Sequence, residues 1–278
     1  MERIKQALER ARQERESAAE TQIRPSGSRA PGRSGQTGSS AVRADKIIYT
    51  ETHVVEPDAA TLERNRVIGG ASAEPAEDAY RMLRTRVIQR MRDNGWNSLM
   101  VVSAGPDAGK SLTAVNLAIS LAREVTHTVL LVDLDLRRPS IHTFFGVEPA
   151  HGIVDYFRKG VPLPDILFNP SIERLVVLPG KERELNSSEM LSSPQMLDLI
   201  AELTARYPER IVIFDLPPVM ATDDAIAFAP NVDGALVVVE NGVTKREDLS
   251  TTFDLLGGTK IIGTVINKSD DPTQAYAY

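Results

Sequence analysis

The stretch VVSAGPDAGKSLTAVNLA, residues 101–118, decides which fold this chain adopts. It runs from an apolar, strand-like segment through a glycine-containing loop into a helix-like segment that begins at Lys110. Within it, AGPDAGKS follows the pattern of a phosphate-binding loop, except that Ala104 stands at the first glycine position. Gly105 and Gly109 let backbone amides turn toward a phosphate, and the N-terminus of the following helix adds donors. The stretch therefore predicts a site for the phosphates of a nucleotide.

Two side chains at the end of this loop are expected to do more than its backbone. Lys110 can reach the outer phosphates, and the hydroxyl of Ser111 is a ligand for Mg²⁺. The residues expected to contact the nucleotide here form one continuous segment: Gly105, Pro106, Asp107, Ala108, Gly109, Lys110, Ser111 and Leu112.

Aspartates end two further apolar runs. Asp133 closes TVLLVD and is followed two residues later by Asp135, while Asp215 closes RIVIFD. Ligands of open α/β sheets bind outside the carboxyl ends of the strands, so these acids are expected beside the phosphate loop. There Asp135 and Asp215, with Ser111, are candidate Mg²⁺ ligands, and Asp133 or Asp135 is a candidate proton acceptor. The alternative, solvated or turn-capping acids, remains open at this point.

Four more charged residues flank these motifs. Arg137 and Arg138 directly follow the first acidic pair and could steady phosphate charge. Asp223 and Asp224 are interpreted as the N-cap region of a helix and not as catalytic groups.

The rest of the chain repeats the same rhythm of apolar runs and helix-like segments. Continuous apolar runs are typical of strands that are covered on both faces, and their alternation with helices predicts a mostly parallel sheet flanked by helices on both faces. A helix is also expected over residues 75–93, with Ser72 as its cap and Gly95 beyond its end. The runs are SLMVVS, TVLLVD, RLVVLP, RIVIFD, GALVVVE and KIIGTVIN.

Composition divides the chain into three expected parts. Residues 1–46 combine a short, thinly apolar helix with a disordered tether rich in Gly, Ser, Pro and Arg. Residues 47–268 form the folded domain, and residues 269–278 form a flexible tail that carries Tyr276 and Tyr278.

The bulk numbers exclude several classes of function. A net charge of −6 argues against nucleic acid as a partner, because that binding depends on Lys and Arg neutralising phosphates. With no cysteine, the chain has neither disulfides nor a thiolate site. No apolar stretch approaches the roughly 20 residues of a membrane span, and the charged N-terminus lacks a signal-peptide core. We therefore expect a cytoplasmic protein that meets a membrane only through a partner.

Over residues 47–278 the chain resembles the bacterial tyrosine kinases of the capsular and exopolysaccharide type. These kinases are a branch of the MinD and ParA-like phosphate-loop ATPases, and the resemblance is greatest to the exosortase-associated autokinases. The strings that carry the family resemblance are SAGPDAGKSLTAVNLA, VLLVDLDLRRPSIHTFFG, LNSSEMLSSPQM, IVIFDLPPV and IGTVINK, and YTETHVV with LERNRVI carries the resemblance to the exosortase-associated branch.

The resemblance implies ATP-dependent transfer of phosphate to C-terminal tyrosines, here Tyr276 and Tyr278, by a neighbouring subunit. It implies that Lys110 and the three acids are catalytic, and that Asn267 reads adenine. DAYRMLR is similar to a Glu-x-x-Arg-x-x-Arg helix through which these kinases assemble into rings; the corresponding residues are Asp78, Arg81 and Arg84.

The resemblance also implies partners: a membrane polysaccharide co-polymerase that activates the kinase, a ring of identical subunits and a tyrosine phosphatase. One alternative is a MinD/ParA-like positioning ATPase, although residues 103–107 lack the extra lysine of that class. Another is a nucleotide-binding regulatory subunit with little catalysis, although all three acids are present.

Overall fold

The strand-like runs of the sequence form one sheet in the computed structural model, which describes residues 52–69, 74–124, 126–207 and 209–269. The expected N-terminal helix and tether, the cap Ser72 and both tail tyrosines lie outside these residues. The chain divides into units 1–43 and 44–278, and all described residues belong to the second. Among them the strands are β1 His53–Val54, β2 Ser98–Ser103, β3 Thr128–Asp133, β4 Phe168–Asn169, β5 Leu175–Leu178, β6 Arg210–Asp215, β7 Gly234–Glu240 and β8 Ile261–Asn267.

The strand order is β1-β4-β5-β3-β6-β2-β7-β8, and neighbouring strands run parallel except for the antiparallel pair of β4 and β5. The predicted, mostly parallel sheet is therefore confirmed. The central strands β2, β3 and β6 are almost wholly buried, which explains why their sequences are continuous apolar runs. The two-residue strands β1 and β4 have no such run and were not predicted.

Helices cover both faces of the sheet. One apolar cluster joins residues such as Val87 and Leu117 to one face, and a second joins Met196 and Phe228 to the other. The described helices are α1 Ala59–Arg64, α2 Glu74–Asn94, α3 Lys110–Ala122, α4 Ile141–Phe144, α5 Ile153–Lys159, α6 Leu163–Ile166, α7 Ser187–Leu191, α8 Pro194–Ala205, α9 Asp224–Phe228 and α10 Arg246–Leu256.

Helix α2 matches the helix expected over residues 75–93 to within a residue at each end. Gly95 follows it with φ of 68°, a left-handed conformation that favours glycine and ends the helix. Of the helices in the described part of the chain, none is both long and apolar enough to cross a bilayer.

The strand order places the predicted site. Strand β6 lies between β3 and β2, so the carboxyl ends of these three parallel strands are adjacent. Two of these strands end at Asp133 and Asp215, and the third leads directly into the loop before α3. The fold therefore brings the glycine-containing loop and the aspartates to one edge of the sheet.

Candidate active site

The loop of residues 104–109 joins β2 to the buried helix α3. Asp107 and Gly109 have φ of 60° and 86°, so the chain turns through the left-handed region twice. Ala104, which replaces the first glycine of the motif, does not have a positive φ and is buried. Its backbone therefore has no need of glycine, and the departure from the motif leaves the loop intact.

Asn267 at the end of β8 braces this loop. Its Nδ2 donates to the backbone oxygen of Ala108 over 2.9 Å. A Cβ added to Gly109 would overlap the same nitrogen, and φ of 86° would strain a residue with a side chain, so a larger residue would displace Asn267 and strain the loop. The structure thus places Asn267 beside the phosphate loop, and its expected contact with adenine stays a prediction.

Lys110, the first residue of α3, lies among the three acids. Its Nζ is 2.7 Å from Oδ2 of Asp135, 3.6 Å from Oδ1 of Asp215 and 3.1 Å from the hydroxyl of Ser111. Burial alone would lower the pKa of Lys110, but the charges of Asp215 and Asp135 outweigh it and raise that pKa. The lysine is therefore held charged at the point where the strands meet.

Asp133 is completely buried behind this group. Its Oδ2 accepts hydrogen bonds from the backbone amides of Ser140 and Ile141, over 2.9 and 3.0 Å, at the start of α4. Its Oδ1 has no hydrogen-bond partner among the described residues. Burial first, and then the charge of Asp215, raise the pKa of Asp133 to about 7.

Asp215 is also completely buried, and neither carboxylate oxygen has a hydrogen-bond partner among the described residues. Burial raises its pKa, while the charge of Lys110 opposes the rise. The Asp215 carboxylate, 3.6 Å from Lys110 and beside the hydroxyl of Ser111, offers the oxygen ligands that a hard cation prefers. In the part of the chain that the structure describes, no three His, Cys, Asp or Glu side chains form a metal cage. Mg²⁺ is usually held by one or two carboxylates together with phosphates and water, and Asp135 and Asp215 supply that number.

Lys110, Ser111 and Asp135 open onto a cleft of about 760 Å³. The loop and α3 form one wall, and the segments after β3 and β6 form the other. Arg183 also lines the cleft, and it could not be predicted because it lies in a loop outside any motif. The lining residues are Pro106, Asp107, Gly109, Lys110, Ser111, Leu112, Asp135, Arg137, Arg138, Ser140, Phe144, Arg183, Pro217, Pro218, Ala221 and Thr222.

The predicted cap residue Asp223 and the predicted ring residues do not line the cleft. Asp223 occupies the N-cap position of α9, but its side chain does not cap that helix and accepts from Ser188 instead. The ring residues lie on α2, where Asp78 and Arg81 form an exposed ion pair. Arg84 donates to the backbone oxygen of Ser120 on α3, so it also joins two helices of its own chain.

Comparison with known proteins identifies the family. The family model of the CobQ/CobB/MinD/ParA nucleotide binding domain matches residues 99–277. Tyrosine-protein kinase YwqD of Bacillus subtilis is 33% identical over 211 residues, covering 74% of this chain and 86% of YwqD. This chain belongs to the bacterial tyrosine-protein kinase family. The family and the MinD/ParA-like fold predicted from the sequence are thereby confirmed, and membership implies nucleotide binding, typically with Mg²⁺.

Two more relatives fit this assignment. The solved kinase domain of Escherichia coli tyrosine kinase ETK is 30% identical, with a TM-score of 0.64 over 73% of this chain and 80% of that chain. Succinoglycan biosynthesis transport protein ExoP of Rhizobium meliloti is 31% identical over 212 residues, 74% of this chain but only 26% of ExoP. The chain therefore spans most of YwqD and about a quarter of ExoP.

Proposed function

We propose that this chain is an ATP-dependent protein-tyrosine autokinase that regulates the synthesis and export of exopolysaccharide or capsule. The γ-phosphoryl group of ATP is transferred to Tyr276 or Tyr278 of another copy. The observation that carries the proposal is the convergence of Asp135 and Asp215 on Lys110, which lines the cleft, in a chain of the tyrosine-kinase family.

The chemistry assigned to the site follows from positioning and charge. Phosphoryl transfer passes through a loose transition state, so fixed positive charge and aligned donors supply most of the catalysis. The loop amides and Lys110 hold the phosphates, and Ser111, Asp135 and Asp215 are the residues that would hold Mg²⁺. The ion, when bound, neutralises charge on the phosphate oxygens.

A carboxylate must take the phenolic proton during transfer, because a free tyrosine has a pKa near 10. Asp135 lines the cleft, whereas Asp133 lies completely buried behind it. The hydroxyl of a bound tyrosine therefore comes within hydrogen-bond distance of Asp135 rather than of Asp133. Hydrogen-bond distance is the first criterion for a general base, and pKa is the second. We assign proton acceptance to Asp135 and give Asp133 the role of fixing the start of α4.

The position of β8 supports the tail as acceptor. This strand ends at Asn267, which contacts Ala108 of the phosphate loop, so the segment beyond it begins at the edge of the site. Tyr276 lies nine residues further along the sequence, within about 30 Å of that point if fully extended. A tyrosine at this distance can serve a neighbouring copy, and transfer between copies needs a direct test.

A mixing experiment tests transfer between copies. The Lys110→Met chain keeps its tyrosines without the phosphate-binding lysine, and the Tyr276→Phe/Tyr278→Phe chain keeps its site without acceptors. Mixed with ATP and Mg²⁺, the pair should yield phosphotyrosine on the Lys110→Met chain. Phosphate on wild type with none in the mixture would refute transfer in trans. ATP turnover without any phosphotyrosine would favour a positioning ATPase.

The proposal includes partners that fit the family. A membrane polysaccharide co-polymerase would activate the kinase and hold it at the cytoplasmic side of the inner membrane, and a tyrosine phosphatase would reset it. Ring assembly would use the exposed face of α2 around Asp78 and Arg81. Domain 47–268 would form the catalytic unit, with residues 269–278 as its substrate tail and residues 1–46 as a tether.

A further inference from the structure

A buried carboxylate outside the predicted motifs contacts the wall of the cleft. Asp224, the first residue of α9, is completely buried. Its Oδ2 lies 2.9 Å from Nε of Arg137 and its Oδ1 lies 3.4 Å from Nη2 of the same arginine. The hydroxyl of Ser187, which is also completely buried, lies 2.9 Å from both oxygens of Asp224.

Local structure does not require this arrangement. Ser187 and Asp224 begin two different short helices, α7 and α9, and lie 37 positions apart, while Arg137 is 87 positions from Asp224. A buried carboxylate is strongly unfavourable unless it is paired and hydrogen-bonded. Here the arginine and the hydroxyl satisfy it together, so the three side chains form one unit.

The unit fixes an arginine that faces the reactants. Arg137 lines the cleft with Lys110 and Ser111, and about a third of its side chain is exposed. A guanidinium carries five N–H donors in a rigid plane, and Asp224 takes two of them. Of the remaining three, one belongs to Nη2, which also lies 3.9 Å from the exposed Asp223, and the two on Nη1 are left for phosphate oxygens. The buried carboxylate sets the orientation of their plane.

We propose that Asp224, supported by Ser187, is a positioning residue that aligns Arg137 with the phosphoryl group during its transfer. This inference rests on the proposed phosphoryl transfer, whichever acceptor takes the phosphate. An arginine aligned beforehand stabilises charge in the transition state more than in the bound nucleotide. Losing the alignment therefore lowers kcat and leaves the KM for ATP nearly unchanged.

A double-mutant comparison in the full-length chain tests the inference. Asp224→Asn keeps the size of the side chain but sets an amide N–H against an N–H of Arg137. We expect kcat for ATP turnover to fall about 10-fold to 100-fold, with KM changed less than about threefold. In an Arg137→Ala background the same substitution should change kcat less than about twofold, because the residue acts through the arginine.

The matched control is Asp223→Asn. Asp223 is the neighbouring acid, is largely exposed and lies 3.9 Å from Arg137, so its substitution should leave kcat near wild type. If Asp224→Asn lowers the yield of folded protein, Ser187→Ala gives the same comparison in both backgrounds, with a smaller decrease.

Three results would overturn the inference: an equal decrease in kcat in both backgrounds, wild-type kcat in Asp224→Asn, or wild-type kcat in Arg137→Ala. Phosphotyrosine is measured in parallel with ATP turnover. Its absence from the wild type would refute the proposed acceptor, while the turnover comparison would still decide the role of Asp224.

Discussion

Asp133 and Asp215 are register partners at the carboxyl ends of β3 and β6, and both carboxylates are completely buried. Two acids so placed cannot both ionise without cost, because burial and mutual repulsion each favour the protonated form. Lys110 offsets the repulsion through its contact with Asp215. We therefore expect this buried pair to lower the free energy of unfolding while it creates the charge arrangement of the site.

The cost of ionising the buried Asp133 should appear in the pH dependence of the free energy of unfolding. The pKa of Asp133 is about 7 in the folded chain, against about 4 for an ordinary aspartate. The folded state thus binds this proton more tightly, which stabilises it at low pH, and the stabilisation is lost as pH rises from about 4 through 7. Asp133→Asn stays neutral, so its Tm should exceed that of wild type increasingly over this interval.

Thermal unfolding at a series of pH values measures the effect. Ser250→Ala, an exposed substitution on α10 that removes no titratable group, is the control and should shift Tm equally at each pH. A difference between Asp133→Asn and wild type that stayed constant or shrank from pH 5 to 8 would contradict the raised pKa.

The phosphate loop should not tolerate a side chain at Gly109. In Gly109→Ala the new Cβ would overlap the amide of Asn267, and a positive φ costs a non-glycine residue about 1–2 kcal/mol. We expect the affinity for ATP to fall at least about tenfold by titration. Asn267 itself braces the loop and is an expected adenine contact, so the double variant Gly109→Ala/Asn267→Ala is compared with Asn267→Ala alone. In that background Gly109→Ala should lower the affinity less than in wild type, because the overlap is gone and only the backbone strain remains. An equal loss of affinity in both backgrounds would show that the overlap contributes nothing.

Restoring the missing glycine should bring no gain. Ala104 has an ordinary φ and a buried methyl group, so Ala104→Gly adds backbone freedom to the unfolded chain and removes packing. We expect unchanged ATP affinity and a stability loss of about 0.5–1 kcal/mol in denaturant titration. A clear rise in the affinity for ATP would mean that Ala104 keeps the loop from its best phosphate-binding conformation.

The arginines of α2 should differ in their effects. Arg84 donates a hydrogen bond to the backbone of α3, so Arg84→Ala should lower Tm and also the mass of any assembly. Arg81 pairs only with exposed Asp78 among the contacts described, and exposed pairs contribute little to folding. Arg81→Ala should therefore keep its Tm and change only the mass of the assembly in light scattering. Equal Tm losses in both variants would refute this division.

Much of the fold was predictable because its central strands are buried on both faces. The apolar runs ending at Asp133 and Asp215 coincide with β3 and β6, and the loop before Lys110 could be recognised from its glycines. Strands β1 and β4 could not be found this way, since two residues carry no periodic pattern.

The predicted cleft residues also converge, but their partners could not be read from the sequence. Asp224 was interpreted as part of a helix cap, because an acid before a short apolar segment is typical of one. Its contact with Arg137 joins positions 87 apart, and only the fold brings them together. The same holds for Asn267, whose contact with the loop depends on β8 lying beside β7.

The most direct test is peptide mass spectrometry of the full-length chain after incubation with ATP and Mg²⁺, beside Lys110→Met. The cytoplasmic segment of a candidate co-polymerase should be added in a parallel sample. We expect phosphate on Tyr276 or Tyr278 in the wild type and none in the variant. ATP turnover with unmodified tyrosines, even with the added segment, would contradict it.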